Sequence, residues 1–187
     1  MRIAGIVEES FVDGPGIRYA VFVQGCPHRC SSCHNPQTHD PAAGEEAPAE
    51  EIAASLERAF AANPLLDGVT FTGGEPLAQA QALLPLARRA RALGLSLWIY
   101  TGYTAEEIAE TDDPGVLALL DFADVLVDGR YEEGRRTLER PFVGSANQRT
   151  IPEPGLYIRT MRTEPSRVKL FPSVAGHHKR PDDTNEG

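Results

Sequence analysis

A chain of 187 residues with 41% hydrophobic and 24% charged residues is large enough for one domain with a sizeable core, and too short for two. No apolar run approaches a membrane span and no basic stripe offsets the formal net charge of −9, so neither a membrane protein nor a nucleic-acid binder is expected. The opening MRIAGIVEESF lacks the basic and apolar regions of a secretory signal, which makes the cytoplasm the expected location.

In chain order, residues 18–24, RYAVFVQ, form a β-rich run that delivers the chain directly into GCPHRCSSCHNP. Residues 39–48 are polar, proline-containing and without period, and are expected as a surface loop. The spacing of Ile52, Leu56, Ala59 and Phe60 predicts a helix with Glu50 and Glu51 near its positive end. An alternation follows: strand 68–72, helix 77–93, strand 95–100, helix 104–110, helix 114–122 and strand 124–127. Thr104 with Glu107 fits a capping box, and Asp113 before Pro114 fits an N-cap followed by proline at the first helical position. Pro85 should kink the 77–93 helix or split it. LSLWIY and DVLV are nearly continuous apolar runs, as a parallel sheet covered on both faces produces, so the expected class is α/β. Arg88, Arg89 and Arg91 fall on a solvated helix face. The domain is expected over 1–164. Residues 165–187, rich in polar residues and proline and containing His177 and His178, are expected as a flexible tail.

All three cysteines of the chain, Cys26, Cys30 and Cys33, lie within eight residues. In a reducing compartment an odd, close-spaced trio points to a metal or redox site, not a disulfide framework. A closed zinc site would need His28 or His34 from the same tight loop as its fourth ligand, an awkward arrangement. An electron-carrying 4Fe-4S cluster wants four thiolates, so here one iron is left open for a substrate. A second feature is Thr72–Gly73–Gly74–Glu75–Pro76 at a strand exit. Its two glycines permit positive φ and close approach to a ligand at the carboxyl end of a strand, although a plain strand-to-helix turn can look the same.

The CxxxCxxC spacing resembles the signature loop of the radical S-adenosylmethionine (SAM) enzymes, and TGGEP follows it at the interval that family shows. VDGPGIR at 12–18, CHNP at 33–36, YTGY at 100–103, VLVDGR at 125–130 and VGSANQR at 143–149 narrow the resemblance. In this order they are similar to the glycyl-radical-enzyme activases, and most of all to the activating protein of anaerobic ribonucleoside-triphosphate reductase. The likeness runs from about residue 5 to about residue 151.

The resemblance implies a single-domain, open (partial) β/α barrel with a mostly parallel sheet. It implies a 4Fe-4S cluster on Cys26, Cys30 and Cys33, and SAM contacted by Thr72, Gly73, Gly74, Glu75, Tyr100, Thr101, Asp128 and Asn35. Asp128 can also be read as an ordinary exposed aspartate. Asp13 would position the glycyl loop of a partner, expected to be anaerobic ribonucleotide reductase, and a reduced flavodoxin or ferredoxin would supply the electron. Asn147, Gln148 and Arg149 could grip either SAM or the partner's backbone. Two features depart from the pattern: His39 stands where an aromatic residue is common, and the chain runs some thirty residues past NQR. A small radical SAM enzyme acting on a small molecule or peptide would share TGGEP but not YTGY, VLVDG and GSANQR together. A zinc or iron-sulfur binding module without catalysis would leave TGGEP unexplained.

Overall fold

The computed structural model of the protein describes residues 1–164, 166 and 167. Seven strands form one sheet: β1 Arg2–Ser10, β2 Ile17–Val23, β3 Glu45–Glu46, β4 Leu66–Gly73, β5 Ser96–Tyr100, β6 Val125–Asp128 and β7 Arg149–Pro152, in the order β3-β1-β2-β4-β5-β6-β7. The class is α/β and the sheet stays open. Parallel pairing is confined to the middle, where β2, β4, β5 and β6 run alongside one another. At the edges, β1 is antiparallel to β2 and to β3, and β7 is antiparallel to β6. The mostly parallel sheet expected from sequence is therefore corrected to a mixed one. Its edge strands carry weak signals: β1 has register shifts around Gly5, β3 is two residues inside the expected 39–48 loop, and β7 is four residues ending in proline.

Five helices accompany the sheet: α1 Ala49–Ala62, α2 Ala80–Ala92, α3 Ala105–Ala109, α4 Pro114–Phe122 and α5 Pro154–Thr163. The predicted starts hold at α3 and α4. Thr104 and Glu107 form a reciprocal capping box, and the Asp113 side chain accepts from Gly115 and Val116 N–H. Helix α2 runs unbroken through Pro85. The handover falls earlier, where a 3-10 turn at Pro76–Gln79 gives way to α2. The proline deprives the carbonyl four residues back of its donor, yet Leu83, Leu84, Leu86 and Ala87 bury the surrounding turns. Helix α5 occupies part of the stretch beyond NQR, with Ile158 in the core. The expected tail lies outside the described residues apart from Ser166 and Arg167.

All five helices contribute to one large core. It joins Tyr19, Val21 and Val23 of β2, Val69 and Phe71 of β4, Leu97 and Ile99 of β5, and Leu126 and Ile151 to Leu56, Leu83, Leu86, Leu119, Leu120 and Ile158. Alternation along each strand sends the other residues to the opposite face. There a smaller cluster of Trp98, Val125 and Val127 packs under Phe142 and Val143 of an irregular segment. The apolar runs LSLWIY and DVLV are thus covered twice, by helices on one face and by loops on the other.

Candidate functional site

The four parallel strands end on one rim, and a motif leaves the sheet at each end: the cysteine loop after β2, TGGEP after β4, YTGY after β5 and DGR after β6. Ligand sites of open α/β sheets form at such carboxyl ends. Cys26, Cys30 and Cys33 are free thiols and partly exposed. Arg29 (φ 46°) and Ser32 (φ 58°) adopt left-handed backbone without being glycine, so the loop doubles back on either side of Cys30. Burial pushes the Cys26 thiol up, while the backbone N–H groups of His28 and Arg29, bonded to its sulfur, oppose the rise. The Asn35 N–H points at the Cys33 sulfur, 3.4 Å away, and the Asn35 carbonyl accepts from Thr38 Oγ1.

The glycine pair of TGGEP presses against this loop. A Cβ on Gly73 (φ 94°) would strike the backbone of Phe22 and Val23, and one on Gly74 would strike the Gly25 carbonyl. That close approach permits the Gly74 N–H to bond the Val23 carbonyl at 2.8 Å and the Glu75 N–H to bond the Gly25 carbonyl at 2.9 Å. Thr72 is half-buried at the same strand end, paired with Phe22. The glycines therefore pack one loop onto another, a requirement beyond the ligand approach or plain turn expected from sequence.

Glu75, expected at the SAM site, has its side chain engaged by the protein itself. Its side chain is fully buried and accepts four hydrogen bonds: from Leu77 N–H (3.0 Å), Thr101 Oγ1 (2.8 Å), Gly102 N–H (2.8 Å) and His28 Nε2 (2.9 Å). A buried carboxylate so supplied has no lone pair to spare for a ligand, so any SAM contact is left to its backbone. Thr101, 5% exposed, is likewise committed, donating to Glu75 and accepting from the Tyr103 N–H. His28 accepts at Nδ1 from Arg130 Nε (3.1 Å) and meets the Tyr103 ring edge-on at 4.4 Å. No closed zinc site is formed with the cysteines: His28 is bound to Glu75 and His34 packs on Tyr131. Among the described residues no three His, Cys, Asp or Glu side chains gather around a single ion position.

On the loop-covered face, residues 11–16 cross the sheet. Thr70 Oγ1 donates to the Asp13 carbonyl (2.7 Å), and Ser10 Oγ donates to the Asp13 carboxylate (2.6 Å). Beside them lies Tyr100, whose hydroxyl is pushed well up by burial and by the Asp13 charge. Arg18, fully buried, donates to Thr70 Oγ1, Ser96 Oγ and the carbonyls of Val69 and Ser96, and burial lowers it to about 10. Gly68 makes room for it, since a Cβ there would meet the guanidinium.

A cavity of about 500 Å³ opens between the cysteine loop and the segment after β6, lined by Cys30, His28, Asp128, Arg130, Asn147 and Arg149 among others. Of the predicted SAM contacts it collects Asp128, beside Asn147 and Arg149 for which SAM was one of two expected partners; Asp128 is 1% exposed and so not the ordinary exposed aspartate weighed from sequence. The Asp128 carboxylate caps α3 through the Ala105 N–H (2.8 Å) and clamps the Arg149 guanidinium. Arg149 also grips Glu106, and that hydrogen bond holds the Glu106 carboxyl down at about 2. The charge of Arg149 is thus already matched by two carboxylates. Its neighbours in the motif turn inward as well, with the Asn147 amide donating to the Arg130 carbonyl and Gln148 to the Gly129 carbonyl.

A family model described as a 4Fe-4S single cluster domain matches residues 12–151. An anaerobic ribonucleoside-triphosphate reductase-activating protein of Enterobacteria phage T4 is 34% identical over 146 residues, 74% of this chain and 86% of that protein. The chain belongs to the glycyl-radical-enzyme activases. An activating protein of the same name from Escherichia coli K12 is 31% identical over 73% of this chain and 89% of its own length. A pyruvate formate-lyase-activating enzyme of Clostridium pasteurianum is 43% identical over 68% of this chain, which spans about half (55%) of that enzyme. Membership in the radical SAM activases implies an iron-sulfur cluster and SAM as cofactors.

The residues present fit that pair. Three unpaired thiols sit on one doubled-back loop, and backbone N–H groups are aimed at two of the sulfurs, contacts of the kind that tune a thiolate-held cluster. A cavity of about 500 Å³ adjoins that loop at His28 and Cys30.

Sequence reading weighed His28 only as a zinc ligand, and gave no role to Arg130 or Arg18. The first two act through partners distant in sequence and leave no local pattern. Arg18 did leave one, a lone cation inside the apolar run RYAVFV. No helix among the described residues is long and apolar enough to cross a membrane.

Proposed function

We propose that this chain is the activase of a glycyl radical enzyme, most specifically of anaerobic ribonucleotide reductase, built as an open radical SAM β/α half-barrel over residues 1–164. The cluster and SAM together supply a 5′-deoxyadenosyl radical able to remove a hydrogen atom from a glycine. The protein's part is to hold and shield that chemistry. Cys26, Cys30 and Cys33 would hold the cluster, three thiolates for four irons, and Gly73, Gly74 and the Glu75 backbone, with Thr72, Tyr100, Asn35 and the Asp128 wall, would hold SAM. Asp13, braced by Ser10 and Thr70, faces the partner's glycine loop across the side of the sheet that carries no helix. Phe11 and Val12, 66% and 79% exposed beside Asp13, offer apolar surface to a protein partner. Exposed Arg29, Arg135 and Arg136 near the cysteine loop suit an acidic electron carrier of flavodoxin or ferredoxin type.

The observation that carries this reading is the seating of a three-thiol loop on the Gly73–Gly74 turn at the carboxyl ends of parallel strands. It is tested by anaerobic reconstitution with iron and sulfide, followed by SAM, a strong reductant and the reductase. The expected result is 5′-deoxyadenosine together with a glycyl signal by electron paramagnetic resonance. Absence of a bound cluster or of 5′-deoxyadenosine removes the proposal. SAM cleavage without a glycyl signal moves it to an enzyme of small molecules or peptides.

A further inference from the structure

All four motif loops meet at one side chain. His28 lies between two cluster cysteines. Its Nε2 bonds the buried Glu75 of TGGEP, and its Nδ1 accepts from Arg130 after β6. Its ring meets Tyr103 of YTGY, and Gly102 lies so close beneath it that a Cβ there would collide. The acceptor role at Nδ1 assigns the ring proton to Nε2, where it donates to the carboxylate. Arg130 is anchored in turn by Glu107 at 3.1 Å. The run Glu107–Arg130–His28–Glu75–Thr101 therefore crosses every loop of the rim without a gap.

We infer that His28 is a positioning residue that fixes the cysteine loop in register with the SAM-contacting loops, so that the open iron and the SAM site face each other before either cofactor arrives. The inference rests on the radical SAM reading of the same site. The physical reason lies in Glu75. Its carboxylate is already held from two sides, by Thr101 and Gly102 on one loop and by Leu77 on its own. A donor added from a third loop gains the full strength of a bond to a buried charge, with little further ordering to offset it. The contact is also the only side-chain hydrogen bond by which the stretch between Cys26 and Cys30 is tied to TGGEP among the described residues.

Two variants separate positioning from mere packing. His28→Leu keeps apolar bulk against Tyr103 and loses both hydrogen bonds, whereas His28→Gln can still donate to Glu75 and accept from Arg130. In the protein free of cluster, hydrogen exchange of the amides at 25–33 should accelerate about tenfold or more in the leucine variant and return most of the way in the glutamine variant. After reconstitution to equal iron content, the KM for SAM should rise about tenfold with leucine, with a smaller change in kcat, and recover with glutamine. Identical behaviour of the two variants, at wild-type level or equally impaired, overturns the inference. So does global unfolding of the leucine variant, which would make His28 a determinant of the fold and not of loop register. Failure of the wild-type protein to cleave SAM would instead remove the proposed function, and the exchange comparison on the cluster-free protein would still decide the role of His28.

Discussion

The two faces of the sheet are built by different means. The helix face is a continuous apolar core of periodic elements, with Leu56, Leu83, Leu86, Leu119 and Phe71 fully buried. The opposite face holds a small cluster around Trp98 and a buried arginine, roofed by irregular segments and bordered by every motif that carries chemistry. Stability and function are thereby separated in space, and a substitution should report on which face it sits.

The sharpest separation is expected from Cys30→Ala. It should abolish 5′-deoxyadenosine formation, while thermal unfolding of the cluster-free protein stays within about 0.5 kcal/mol of wild type, because the thiol is partly exposed and outside the core. Leu119→Ala should do the reverse. Its loss from the α4 contact costs about 2–5 kcal/mol in denaturant unfolding, and the KM for SAM of the folded fraction stays unchanged. Gly68→Ala tests whether the loop-covered face also supports the fold. The added methyl collides with the Arg18 guanidinium and the Ser96 carbonyl, and a loss of about 1–3 kcal/mol is expected by the same measurement.

The smallest effect concerns Glu106. Its carboxyl is held at about 2 against an ordinary 4.5, so the stability it adds is fully present above 4.5 and disappears as pH falls toward 2. Because the side chain is half exposed, the contribution is about 0.5 kcal/mol or less. Glu106→Gln should flatten the acid limb of the unfolding curve by that amount and leave neutral-pH activity intact.

The same division governs what the sequence discloses. The helix face was readable because its signals are local: the capping box at Thr104, the Asp113–Pro114 start, and the period of Ile52, Leu56 and Phe60. Three cysteines in eight residues disclosed the cluster loop for the same reason. The roles of Glu75, Thr101 and Asp128 were not readable, because each depends on a donor from a distant part of the chain. Glu75 looks like a ligand contact in TGGEP until His28 and Gly102 are seen to occupy it. Asp128 looks free until Arg149 closes over it. Edge strands were missed on other grounds: β3 and β7 are too short to show alternation, and the bulges of β1 disturb its register.

One edge has a consequence for the protein in solution. Strand β3 pairs only with Arg2 and Ile3, so the outer side of β1 from Ala4 onward has no strand beside it among the described residues. An unpaired strand edge recruits other chains. Here exposed Glu8 and Glu9 stand along it, two like charges that a second copy would have to bring against their own kind. Charge along an open edge weighs against pairing with another copy.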